Sequence, residues 1–161
     1  MYLFPRTQHI KKVFITYTTL YIFLLSITYA VDNTIMLQSS PIASVKVGEK
    51  LYVISKDTGT VSVINTKTDM VEKTITVGPK PVSATVAGTK IYVNNSESTF
   101  ISVIDTTTDV VKTTVSAGAG PVSSVLLGTN LYVNSFDNSI GVVNTTTDIL
   151  AKTIPLSSIS G

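Results

Sequence analysis

Residues 50–78 read KLYVISKDTGTVSVINTKTDMVEKTITVG, and residues 90–118 repeat the pattern as KIYVNNSESTFISVIDTTTDVVKTTVSAG. The spacing is forty positions, and it extends beyond the quoted stretch. It separates Pro41, Pro81 and Pro121, as well as Gly48, Gly88 and Gly128. It also separates Tyr52, Tyr92 and Tyr132, each followed by a valine at 53, 93 or 133. A third copy begins NLYVNSFDNSIGVVN at Asn130 and runs one residue short. In it Asn144-Thr145 matches Asn65-Thr66 and Asp105-Thr106, and Asp148 matches Asp69 and Asp109. The missing residue falls between Tyr132 and Asn144, and surface loops tolerate such a deletion best. A period near forty marks an array of supersecondary units, each too small to bury its own apolar faces.

Each copy reads as four short strands. In the first copy they span residues 42–47, 50–54, 60–64 and 70–77, and in the second 82–87, 90–94, 100–104 and 110–115. Thr, Val, Ser, Ile and Asn dominate after residue 40, and β-branched side chains fit a pleated surface better than a helix. Gly and Asn accept the positive φ of tight turns, while Asp and Asn bond to nearby backbone N–H groups. Ile101, Val103 and Ile104 leave no cleanly polar face on their strand, and neither do Leu131, Tyr132 and Val133. Sheets stacked face to face bury both sides, so each repeat depends on its neighbours. The expected fold is all-β, with three tandem blades of four antiparallel strands of the β-propeller type. An N-terminal apolar helix precedes them.

The Tyr-Val strand, the Val-Ser-Val-Ile-Asn or Ile-Ser-Val-Ile-Asp strand and the ending in Val-Gly or Ala-Gly resemble the YVTN-type β-propeller repeat. The resemblance covers residues 41–156. It implies a blade whose first strand lies near the propeller axis and whose last lies outside. It also implies an extracytoplasmic or cell-surface setting, and it fixes no single activity. Some members of that family resemble quinoprotein amine dehydrogenase chains or lactonases. The expected organisation is 1–30 leader, 31–40 linker, and a repeat region 41–161 divided as 41–80, 81–120 and 121–161. Closed propellers typically carry four to eight blades. Three blades therefore leave two readings open. Either a homo-oligomer closes the ring, for example a dimer with six blades, or the region is a shortened relic or fragment of a longer propeller.

Arg6, His9, Lys11 and Lys12 make a basic start, no charge occurs from Val13 to Val31, and Leu20–Leu25 form an apolar centre. Thr28-Tyr29-Ala30 then offers a cleavage site, so a secretory signal is the preferred reading. An uncleaved transmembrane helix over residues 13–31 is the alternative, because the run is about as long as a span needs. On either reading the body is exported, since positive charge before the span holds the N-terminus inside. The expected localisation is periplasmic, cell-surface or secreted, with membrane contact only through residues 13–31 if the leader stays on.

The net charge of +2 comes from that leader. After residue 30 there are nine lysines and ten acids, so the body has no basic footprint and nucleic-acid binding is not expected. There is no cysteine, which excludes disulfides and thiolate chemistry. The single histidine, His9, lies in the leader, so the body has no imidazole for a Ser–His relay or a His metal site. Asp69, Asp109 and Asp148 recur in register and read as turn residues. Asp57, Glu97 and Asp137 recur in a longer loop, which makes them the place to look for binding without defining a site. A Ca²⁺ site would need several oxygens converging from adjacent loops, and no spacing demonstrates that. Tyr52, Tyr92 and Tyr132 read as one ring per blade packed between sheets with the hydroxyl bonded at the edge. Asn94-Asn95-Ser96 and Asn144-Thr145-Thr146 match the glycosylation triplet, as chance allows in so Asn- and Thr-rich a chain. Gly78, Gly118 and Gly120 precede strands, so they form no phosphate loop. No catalytic, cofactor-binding or metal-binding residue is assigned.

The expected function is a non-enzymatic binding or scaffolding module with a protein or glycan partner. Two alternatives stay open: part of a cofactor-binding or enzymatic propeller completed by another chain, or a truncated non-functional fragment.

Overall fold

The computed structural model describes residues 34–37 and 41–156. The expected leader, its apolar helix and most of the linker lie outside the described residues. The chain divides into two units, Met1–Thr34 and Ile35–Gly161, and the second carries the repeats.

Twelve strands form three separate four-stranded sheets, and there is no helix among the described residues. The first sheet, blade 1, contains β1 (Pro41–Val47), β2 (Lys50–Ser55), β3 (Thr60–Asn65) and β4 (Met70–Thr76). Blade 2 contains β5 (Pro81–Ala87), β6 (Lys90–Asn95), β7 (Phe100–Asp105) and β8 (Val110–Ser116). Blade 3 contains β9 (Pro121–Leu127), β10 (Asn130–Ser135), β11 (Ser139–Asn144) and β12 (Ile149–Pro155). Each sheet is an antiparallel meander in chain order. The strand limits differ from the expected ones by one residue. Each first strand opens on its proline, where the missing N–H costs no ladder bond.

The turns explain the recurring residues. Gly48, Gly88 and Gly128 take φ of 57–61° in the two-residue turn between the first two strands. A Cβ there would meet nothing within 4 Å, so backbone conformation, and not crowding, selects glycine at these positions. The turn between the third and fourth strands is capped in every blade. Asn65 Oδ1 accepts Lys67 N–H at 2.9 Å, Asp105 Oδ1 accepts Thr107 N–H at 2.8 Å, and Asn144 Oδ1 accepts Thr146 N–H at 2.9 Å. The next threonine ties this turn to the glycine turn. Thr66, Thr106 and Thr145 each donate a hydroxyl and a backbone N–H to the carbonyl of Glu49, Thr89 and Thr129. Both turns therefore lie at one end of the blade. The other end holds the turns between second and third strands and the crossovers between blades. The deletion in the third copy falls in the β10–β11 turn, where Asn138 takes φ 57°.

The blades pack face to face. The first strands β1, β5 and β9 lie closest together, and the last strands β4, β8 and β12 splay apart. Tyr52, Ile54, Val61 and Val63 of blade 1 pack with Ile91, Val93 and Ile104 of blade 2, and all of these are fully buried. Tyr92, Ile101 and Val103, on the other face of blade 2, pack with Leu131, Val133 and Val143 of blade 3. Each fully buried aliphatic side chain contributes about 1.5–3 kcal/mol over its exposed state. Blade 2 is covered on both faces; blades 1 and 3 each have one face that no other blade covers.

Candidate functional site

The recurring aspartates are turn residues: Asp69, Asp109 and Asp148 take φ of 54°, 54° and 58°. Their side chains do more than the sequence reading assigns to them. The Tyr52 hydroxyl donates to Asp109 Oδ1 at 2.6 Å, and Lys50 Nζ binds Asp109 Oδ2. One repeat on, the Tyr92 hydroxyl donates to Asp148 Oδ1 at 2.5 Å and Lys90 Nζ donates to both Asp148 oxygens at 2.8 Å. A tyrosine and a lysine of blade 1 thus clasp the aspartate of blade 2, and those of blade 2 clasp the aspartate of blade 3. Burial, and then the aspartate acceptor, push the hydroxyls of Tyr52 and Tyr92 far above the usual tyrosine range. Burial would raise the Asp148 carboxyl, but Lys90 and Tyr92 outweigh it and hold the group below the usual carboxylate range. Asp69 has no preceding blade among the described residues, and its side chain is exposed.

The loop acids lie at the opposite end. Asp57 pairs with Lys80 of the crossover at 3.0 Å, which raises the Lys80 ammonium. Asp137 accepts Ala119 N–H at 2.8 Å and the Ser139 hydroxyl at 2.6 Å, and these two bonds lower its carboxyl. Both residues hold a crossover in place, and Glu97 remains exposed. Beside Asp137, the Phe136 ring is 70% exposed at the tip of the β10–β11 turn. Its sequence signal is one aromatic residue where the other copies carry Lys56 and Ser96. Gly120 lets this turn approach, since a Cβ there would lie 2.6 Å from Phe136 Cδ2.

Two further features have no counterpart in the sequence reading. The first is a polar seam between the inner strands of blades 2 and 3. Asn94 Nδ2 donates to Ser83 Oγ at 2.8 Å and to Ser124 Oγ at 2.9 Å. Ser83 Oγ donates to Val122 O at 2.8 Å, and Thr85 Oγ1 donates to Ser124 O at 2.9 Å. Asn94 is fully buried in this seam, so the triplet it begins offers no accessible acceptor in the folded blade. The second is an apolar groove of about 410 Å³ over the outer face of blade 1, lined by Ile35, Leu37, Ile42, Leu51, Val53 and Ile64, with Ser44 its polar member. No three metal-ligating side chains converge among the described residues.

No protein-family model matches the chain, and comparison with curated proteins finds no match. Solved structures do match. Hydrazine synthase of Kuenenia stuttgartiensis superposes with a TM-score of 0.70 at 21% identity, over 78% of this chain and 38% of that one. The dihydro-heme d1 dehydrogenase NirN, solved in complex with DHE, gives 0.66 at 16% identity, over 79% and 31%. The computationally designed Ika8 protein gives 0.63 at 13% identity, over 75% and 38%. This chain spans less than two fifths of the length of each. At these identities the likeness concerns the fold: three four-stranded antiparallel sheets arranged like β-propeller blades.

Proposed function

We propose that this chain is an exported, non-enzymatic binding module of the YVTN-repeat type, whose recognition surface is the end formed by the crossovers and the second-to-third-strand turns. The observation that carries this reading is the division of labour between the two ends. At one end, Asp109, Asp148, Tyr52, Tyr92, Lys50 and Lys90 are all engaged in holding blades together. At the other, Phe136 stands exposed next to Asp137 and Asn138. An exposed ring flanked by polar groups suits stacking on a sugar face or anchoring a protein loop. The extracytoplasmic setting rests on the leader.

The test is binding of the full chain to a panel of glycans and to cell-envelope proteins, measured by biolayer interferometry with and without Phe136→Ala. The expected result is about tenfold weaker binding for the variant, as for loss of an aromatic anchor, with an unchanged melting temperature. Binding that ignores Phe136, or reproducible turnover of a substrate by the purified chain, would overturn the proposal.

A second reading has one observation in its favour: two of the structural neighbours are named as enzymes, hydrazine synthase and a dehydrogenase. On that reading the three blades belong to an enzymatic or cofactor-binding propeller completed by another chain. Residues 10–161 contain neither histidine nor cysteine, so the partner chain would supply any such ligand.

A further inference from the structure

From the two blade interfaces we infer that the outer face of blade 3 docks head to tail on the outer face of blade 1 of a second copy of this chain. The interface that joins blade 1 to 2 and blade 2 to 3 is then continued between molecules. This inference is independent of what the loop end binds.

The inner seam shows how neighbouring blades match. Position 54 of blade 1 is Ile, and it packs in one apolar cluster with Ala84 of blade 2. The corresponding residue of blade 2 is Asn94, and it bonds Ser124, the residue of blade 3 that corresponds to Ala84. Apolar meets apolar and amide meets hydroxyl. Blade 3 carries Asn134 at this position, and blade 1 carries Ser44 at the receiving one. Both are exposed, and Ser44 is the polar member of the groove on blade 1. Asn134 Nδ2 already donates to Ser123 Oγ at 3.2 Å, as Asn94 does to Ser83, so half of the seam is preassembled. Ser123 stands where Ser83 bonds the Val122 carbonyl, and the carbonyl it would meet is that of Ile42.

The clasp is also split between the two faces. Tyr132 corresponds to Tyr52 and Tyr92, and Asp69 to Asp109 and Asp148 with the same positive φ. A second copy brings them together. Around them, Val125 and Leu127 on β9 are 63% and 69% exposed. One difference weakens this contact: Asn130 replaces Lys50 and Lys90, so the intermolecular clasp has no ammonium for Asp69 at that position. Ile35 and Leu37 line the same groove on blade 1, and the docking blade takes their place. A head-to-tail contact closes into a ring or grows into a filament. The three described blades taken twice give six, within the four to eight of closed propellers, so a closed ring of two copies is the product expected of this contact.

The chain has no cysteine, so single cysteines can be placed cleanly. Ser44→Cys and Asn134→Cys forms of the full chain, differently tagged and mixed, are treated with a short bis-maleimide. The expected result is a dimer that links S44C to N134C, with little S44C–S44C or N134C–N134C product. Asn134→Ile alone and Ser44→Ala alone, followed by light scattering, should each weaken association about tenfold by leaving one polar group without a partner. The double variant, which recreates the Ile54–Ala84 pairing, should restore it. Both positions are exposed within one chain, so loss of folding does not confound the comparison. A monomer at micromolar concentration, predominantly like-with-like links, or failure of the double variant to recover would overturn the inference.

Discussion

The two interfaces within the chain share a clasp and differ in their seam. Between blades 1 and 2, Ile54, Ala84, Ala43 and Val45 make the inner contact apolar. Between blades 2 and 3, Ser83, Thr85, Asn94 and Ser124 make it a hydrogen-bonded network at the same positions. The backbone frame is common to both, so propeller-type packing does not prescribe the chemistry of the seam. It prescribes only that facing positions agree. The network also carries a cost, because the Asn94 side-chain oxygen is buried without a protein partner.

The sharpest way to break this comparison is to exchange one seam's residue for the other's. Ile54→Asn places an amide against Ala84 with no hydroxyl to meet it. The expected loss is about 4 kcal/mol, from apolar burial and an unsatisfied polar group together, read from urea denaturation. Removing a clasp acceptor should come next. Asp148→Ala leaves Lys90 and Tyr92 without their acceptor, and the Asp148 carboxylate is only 8% exposed. A loss of about 2–3 kcal/mol is expected, short of the figure for a fully dry pair because Lys90 keeps some contact with water. Asp109→Ala should cost less, about 1–2 kcal/mol, since Lys50 is more exposed than Lys90. Asp69→Asn, which keeps a side chain suited to the positive φ of this turn and has no clasp inside the chain to lose, should leave the stability of one copy unchanged within about 0.5 kcal/mol.

Proton titration probes the same clasps more gently. The Asp148 carboxyl is depressed in the folded chain, so its stabilisation is complete above the ordinary aspartate value of about 3.9 and is lost as pH falls through the folded value. Melting temperature should therefore drop below about pH 4, and Asp148→Asn should flatten that part of the profile. The hydroxyls of Tyr52 and Tyr92 are raised, so their contribution is complete below the ordinary tyrosine value of about 10 and is lost as pH climbs above it. Absorbance near 295 nm during an alkaline titration should show these two ionising only as the fold opens.

Much of the fold could be read directly because the repeat aligned the turns. Gly48, Gly88 and Gly128 marked the first turn, and Asn65-Thr66 and its counterparts the third. Tyr52 and Tyr92 meet the expectation of one buried ring per copy with a bonded hydroxyl, whereas Tyr132, on the face of blade 3 that no other blade covers, is only half-buried. Recurrence in register marks Asp109 and Asp148 as turn residues, which holds for the backbone, but it carries no information on where the side chain reaches. Tyr52 and Asp109 stand 57 positions apart, so their contact joins one repeat to the next. Comparing copies position by position reveals conserved type without revealing which positions meet across blades. The seam was hidden for the same reason. Its signal was present, as Ile54 with Ala84 against Asn94 with Ser124, but a fixed separation of thirty residues means nothing until the strand packing is known. Phe136 could not be found from periodicity, since it is where the third copy departs from the other two.

The split clasp bears on how such arrays lengthen. Every blade carries a tyrosine for its successor and an aspartate for its predecessor. Duplicating one forty-residue segment therefore delivers both halves of a working joint in a single event, already in register. The inserted copy needs no matching change in its neighbours at the turn. Only the seam must be adjusted afterwards, one residue against one residue. In such an array whole blades are interchangeable at the turn and individually fitted at the seam.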